Sequence, residues 1–150
     1  MRHKNAGFTL VELLVVVAIL GIITAIAIPS LRQAIDKAKQ RRTMADMRTV
    51  ALAVNAYAVD FSFAPKFAKA TVAQLRPFLT PTYLRTLPDV DGWHRAMFYE
   101  AEALNYTLLS MGADGVEQGT VHEGPTTEFA ADIIMTNGVF VQWPEGMQAR

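Results

Sequence analysis

Cysteine is absent from the 150-residue chain, which excludes a disulfide framework and says little about compartment. Basic residues are missing from a long stretch as well. Residues 96–149 contain no Lys or Arg and eight acids, whereas residues 8–95 carry eleven basic residues against six acids. The formal net charge is +0, so a global attraction to nucleic acid has no support. The division into a basic stem and an acidic head points instead to copies or partners of opposite face. Catalytic signatures are missing too. His3, His94 and His122 show no metal-pair spacing, there is no Gly-x-Ser-x-Gly, and no glycine loop stands between a strand and a helix as phosphate binding requires. Asp89-Val90-Asp91-Gly92 has the opening of a calcium loop without the later ligands, and reads as a turn ahead of a core Trp93. No enzyme is expected.

What is present is an apolar run. With 51% hydrophobic content the chain can bury one modest core and hardly two. Residues 8–28 form 21 positions interrupted by Thr9, Glu12, Gly21 and Thr24 alone. As a helix this segment is about 31 Å long, the thickness of a bilayer core. Ala25-Ile26-Ala27 has the small-x-small form of a secretory cleavage site, so a removable signal and a plain single-span anchor are both open readings. Neither accounts for Glu12. An acid inside a membrane helix costs about 2.5–3.5 kcal/mol on insertion scales and usually has a partner. Were the chain cut after Gly7, the new amine of Phe8 would lie at i, i+4 from Glu12, where amine and carboxylate can neutralise each other.

The stretch "KNAGFTLVELLVVVAILGIITAIAIP" resembles the prepilin signal of type IV pilins and type II secretion pseudopilins. The resemblance implies that a basic leader, residues 1–7 with Arg2 and Lys4, is removed after Gly7 by a prepilin peptidase, which also methylates Phe8. It implies that Glu12 pairs with the amine of a neighbouring subunit during assembly. Gly21 and Pro29 bracket a helix weak point, since glycine costs about 1 kcal/mol and proline removes the bond to the Ala25 carbonyl. In assembled members of the family this stretch is often unwound; a plain helix also tolerates one glycine and kinks at its proline.

Beyond the apolar run, Met44, Met47, Ala51, Val54, Ala58 and Phe61 recur at spacings of three and four, predicting one helix from Phe8 to about Phe61 with a buried stripe. A charged collar over residues 32–48 sums to +4 and by the positive-inside rule would stay in the cytoplasm. The resemblance places it outside, in keeping with a basic leader and a long exported domain. Residues 60–70 read as a loop and "TVAQLRPFL" as a short helix capped by Thr71 with Gln74 three residues on. Residues 96–100 and 104–110 read as an antiparallel strand pair, and "DIIMTNGVFVQW" as a hairpin turning at Asn137-Gly138. The expected fold class is α+β, a pilin-like lollipop: residues 1–7 as leader, 8–31 as the transmembrane and assembly helix, and 32–150 as a head with a small antiparallel sheet packed on the amphipathic half of the helix.

"LRPFL", "YLRTLPDVDGW", "NYTLLSMGADG" and "ADI" resemble the head of the major, G-type pseudopilin of type II secretion. The loop over residues 112–132 and the hairpin after it depart from that family's pattern. The resemblance implies a helical homopolymer that drives protein export, with minor pseudopilins, the prepilin peptidase and an inner-membrane assembly platform as partners. It implies a single-pass protein of the bacterial inner membrane with its head in the periplasm; a type IV pilus for adhesion, motility or DNA uptake is the alternative. It also implies calcium (Ca2+) in the head, bound by Asp114 in "GADG", Asp132 in "ADI" and Glu128. Five carboxylates with no Lys or Arg over residues 112–132 agree with a hard cation that would offset their repulsion.

Overall fold

A computed structural model describes residues 7–147. The expected leader residues 1–6 lie outside that range. One α-helix, α1, runs over Leu10–Phe61. It is followed by β1 (Phe67–Thr71), a 3-10 turn (Val72–Leu75), a short helix α2 (Arg76–Leu79), β2 (Phe98–Glu102), β3 (Asn105–Ser110), β4 (Gly124–Thr126), β5 (Ile133–Thr136) and β6 (Val139–Pro144). The chain divides into two compact units, Met1–Ile35 and Asp36–Arg150.

In the first unit the described residues are helix from Leu10 onward, and the helix continues through Gly21 and Pro29. Its apolar side chains are uncovered: Leu10 is 79% exposed and Ile26 72%. α1 is long and apolar enough to cross a membrane, and none of its most apolar window is buried.

In the second unit the remaining part of α1 and a six-stranded sheet share one core. The buried face of the helix is Gln40, Thr43, Met44, Met47, Val50, Ala51, Ala53, Val54 and Tyr57. The expected stripe therefore holds at Met44, Met47, Ala51 and Val54. It ends on Tyr57 instead of Ala58 and Phe61, because the stripe follows 3.6 residues per turn and Tyr57 is next on the Met47–Val50–Val54 line. Phe61 remains 50% exposed and stacks on Tyr57 at 4.4 Å between centroids. Opposite the helix lie Val72, Leu75, Leu79, Met97, Tyr99, Leu108, Ile133 and Met135, all fully buried or nearly so. Each such side chain contributes about 1.5–3 kcal/mol on leaving water.

The strand order is β1-β2-β3-β5-β6-β4. The β2–β3 and β5–β6 hairpins match the expected pairs, and Asn137 and Gly138 take the left-handed backbone (φ 52° and 82°) that a tight hairpin turn demands. Two edge strands differ from expectation. Residues 67–70, expected as loop, and Thr71, expected as a helix cap, form β1, which pairs with β2 through an irregular register. β4 pairs with β6 in parallel, so the sheet is mixed and not purely antiparallel. Its sequence Gly-Pro-Thr carries no alternation, and it is held from outside: the His122 N–H donates to the Gln142 side chain (2.7 Å), whose amide donates to the Asp132 carbonyl (2.9 Å). Thr71 does stand at the start of the 3-10 turn with extended backbone, but its side chain makes no capping bond.

Candidate functional site

Helix α1 begins with a reciprocal cap. The Thr9 N–H and hydroxyl both donate to Glu12 Oε2, at 2.8 and 2.6 Å, and the Glu12 N–H donates to Thr9 Oγ1 at 3.2 Å. This is the capping box, in which residues three apart satisfy each other's unpaired groups at a helix start. Glu12 thus has a partner inside its own chain, Thr9, at a Thr-x-x-Glu spacing that the sequence itself displays. The Phe8 amine is not available while Phe8 is still joined to Gly7. Gly7 and Phe8 precede the helix and are exposed, Phe8 by 75%. No Cβ contact would arise at Gly21 within 4 Å, so that glycine is not required by packing in the single chain.

The "DVDGWHR" turn fastens the sheet to the helix within the head unit. Asp91 is completely buried and fully used: Oδ1 accepts from the N–H groups of Trp93 (2.8 Å) and Arg95 (2.9 Å), and Oδ2 accepts from Ser110 Oγ (2.9 Å). Gly92 N–H donates to Thr43 Oγ1 at 2.9 Å, and that hydroxyl donates back to the Lys39 carbonyl at 2.9 Å. Gly92 lies so close to α1 that a Cβ would meet the Lys39 carbonyl oxygen, with the carbonyl carbon and Cα at 2.8 Å. Trp93, expected in the core, is only half-buried; its indole N–H donates to Asp36 on the helix at 3.3 Å. The buried polar side chain of the turn is Asp91, because its carboxylate organises three donors while the indole needs only one acceptor.

The acidic loop over residues 112–132 gathers part of the expected metal set. Asp132 is buried, and its Oδ2 accepts from the Gln118 N–H at 2.8 Å while Oδ1 has no hydrogen-bond partner. Burial pushes its carboxyl above the usual range, the Gln118 bond opposes this, and the charges of Asp114 and Glu117 add to the rise. Asp114 accepts from the Val116 N–H at 3.0 Å. Glu128, expected in the metal set, is exposed, and the charges acting on Asp132 are those of Asp114 and Glu117, a residue not in that set. Among the described residues no three His, Asp or Glu side chains converge as a metal-binding group. The orphaned Asp132 oxygen still fits a hard cation in chemistry, as do the carbonyls of Ala130 and Ala131 that crowd Gly112 (φ 58°), but the ligand set is not closed. Two cations from outside the loop reach it: Arg95 Nη1 donates to the Gly112 carbonyl at 3.2 Å, and Lys69 Nζ pairs with Glu117 at 2.6 Å. A cavity of about 250 Å³ lies between Lys69, Phe98, Leu109, Glu117 and Asp132.

The collar is partly self-neutralised. Lys39 pairs with Asp36 (3.6 Å) and Arg42 with Asp46 (3.4 Å) along the helix, while Arg48 stacks over Phe140 at 5.1 Å. Arg41 is exposed and lines a groove of about 310 Å³ with Met44, Arg48, Gly146 and Met147.

An uncovered apolar helical segment that opens on a Thr-x-x-Glu cap, with an α+β head unit free of cysteine, is the build of a pilin-like, membrane-anchored subunit. The model of the prokaryotic N-terminal methylation motif matches residues 2–28, and that of type II secretion system protein G matches residues 30–127. The type II secretion system core protein G of Pseudomonas aeruginosa is 34% identical over 130 residues, covering 79% of this chain and 91% of the relative. Those of Vibrio cholerae and Escherichia coli are 32% and 30% identical over 127 and 128 residues, covering 86% and 87% of their own lengths and 78% of this chain in each case. No solved structure gives a significant match. The chain belongs to the type II secretion system protein G family, the major pseudopilins, and is a structural protein and not an enzyme.

Proposed function

We propose that this chain polymerises through its N-terminal helix into a helical homopolymer, the type II secretion pseudopilus, whose growth drives protein export. The observation that carries the reading is the uncovered apolar segment of α1 with one carboxylate, Glu12, at its start. The match to the methylation motif over residues 2–28 supports removal of the leader after Gly7 and methylation of Phe8 by a prepilin peptidase. Once that amine exists, Glu12 has two competing partners, Thr9 in its own chain and the Phe8 amine of a neighbour. Both partners make charge-assisted bonds to the carboxylate, but only the amine brings an opposite full charge, so it adds a Coulomb attraction that Thr9 cannot supply. Gly21 and Pro29 then mark where the helix opens in the filament. The apolar segment fits an inner-membrane anchor; on this reading the head is periplasmic, and minor pseudopilins and an inner-membrane assembly platform are its partners.

Calcium belongs to the same reading. Asp132 and Asp114 with backbone carbonyls of the loop would hold it, and the ion would supply positive charge against their repulsion and order the loop. Glu128 would have to swing in from solvent to join them.

Mass spectrometry of the mature N-terminus from cells containing the peptidase tests the reading. Methylated Phe8 as first residue is expected, and a retained residue 1–7 leader would refute it. Glu12→Ala should insert and be processed, yet yield no filaments by electron microscopy; normal filaments would give the carboxylate another purpose.

A further inference from the structure

We infer that the Lys69–Glu117 ion pair is a latch on the acidic loop, and that a divalent cation must displace Lys69 from Glu117 to complete its site. The inference rests on the calcium reading above and adds two residues which that reading did not assign. Lys69 stands on β1, at the edge of the sheet, and Glu117 lies in the loop 48 residues later. Lys69 Nζ donates to both oxygens of Glu117, at 2.8 and 2.6 Å, and sits 5.8 Å from the ring of Phe98. The next residue, Gln118, donates its N–H to the buried Asp132 (2.8 Å), and its side-chain amide reaches the Ala130 carbonyl at 3.5 Å. Covalent adjacency couples the two: where Glu117 is held decides whether Gln118 can reach Asp132.

Asp132 presents an unpartnered, fully buried oxygen, and it lines the same cavity as Lys69 and Glu117. A buried carboxylate with one empty acceptor is an unfinished arrangement, because such groups are ordinarily satisfied. A cation there would need further oxygens, since calcium takes six to eight. Glu117 is the acid whose charge already acts on Asp132 alongside Asp114, and both of its oxygens are engaged by Lys69. The pair is about half-exposed, with side chains 49% and 42% accessible, so it is a weak clasp that a divalent ion can open.

The test uses the full chain in detergent micelles, titrated with calcium chloride after chelation and followed by calorimetry, with hydrogen exchange over residues 112–132. Lys69→Gln should bind calcium about 1.5-fold to fivefold more tightly than the unaltered chain, the range set by an exposed ion pair. In chelator the same variant should exchange faster around residues 116–121. Lys69→Arg, which keeps the pair, should restore both, and Glu117→Gln should bind calcium more weakly than the unaltered chain. Equal affinities for the unaltered chain and Lys69→Gln would overturn the latch alone. No binding by either at millimolar calcium would overturn the calcium reading and the latch with it.

Discussion

Gly92→Ala should unlock the turn that holds the sheet to α1. The new Cβ would collide with the Lys39 carbonyl, whose carbon and Cα lie at 2.8 Å from its ideal position. The obstacle is helix backbone, which cannot rotate aside as a side chain can, so the cost belongs at the upper end of the overpacking range of about 1–3 kcal/mol. Separation would also break the 2.9 Å bond from Gly92 N–H to Thr43, worth about 0.5–1.5 kcal/mol. Together these give about 4 kcal/mol. For a head unit of Asp36–Arg150, an unfolding entropy of about 2.1 cal/mol/K per residue gives about 0.24 kcal/mol/K, and Tm falls by about 17 °C. Fluorescence follows the melt well, because Trp93 adjoins the mutation and is bonded to Asp36 on the helix. Gly119→Ala is the control: a Cβ there meets nothing within 4 Å, and its Tm should stay within about 2 °C. A Gly92→Ala protein that melts with the control would show that the turn does not depend on close approach to α1.

Calcium at a hundredfold excess over its Kd should stabilise the head by about 2.7 kcal/mol through mass action, and Asp114→Ala should abolish the gain; identical melting in calcium and in chelator refutes the site. The Tyr83 phenol, which donates to Asp60 at 2.6 Å, is pushed up to about 12, chiefly by that bond. A folded value above the unfolded one means stability is fully present below about pH 10 and is lost as pH rises through about 12; Asp60→Asn should bring the ultraviolet titration of Tyr83 down toward the ordinary range. Reversing Arg41 and Arg42 to Glu should weaken filament assembly if the collar meets the acidic head of another copy, with partial recovery on reversal of head acids; assembly unchanged by electron microscopy would leave the helices alone to hold the filament.

The elements legible in the sequence are those whose pattern is local and repeated. α1 was readable because a largely apolar run of 21 positions and then a 3–4 spacing fix a helix. The β5–β6 hairpin was readable because Asn137-Gly138 supplies the left-handed turn itself. β1 and β4 were not, since "FAKAT" and "GPT" are short edge strands defined by what pairs with them: β4 is held by Gln142 and Trp143, whose bonds no window of sequence contains. Trp93 misled for a related reason. Tryptophan is apolar enough to expect in a core, but the buried place of the turn goes to Asp91 because two N–H groups of the turn itself and Ser110 from β3 converge there. The same holds in the acidic loop, where the count of carboxylates was visible and their companions Lys69 and Arg95, distant in sequence, were not.

Lipid tails are as apolar as leucine, so moving the first unit of α1 from a bilayer into a bundle of like helices changes its hydrophobic energy little. What changes is the environment of Glu12. In the single chain its carboxylate is occupied by Thr9, an arrangement that serves a neutral amide as well as a charged acid, because Gln fills the same place in a capping box. Glu12→Gln therefore separates two roles that Glu12→Ala removes together. The variant should keep the first turn of α1, insert, and be processed, while having no charge to offer an incoming amine. If neutralisation is what drives assembly, Glu12→Gln will form filaments no better than Glu12→Ala, and the loss will persist in protein whose N-terminus is fully processed. Filaments of normal length and number from Glu12→Gln would assign the whole contribution of this residue to capping its own helix.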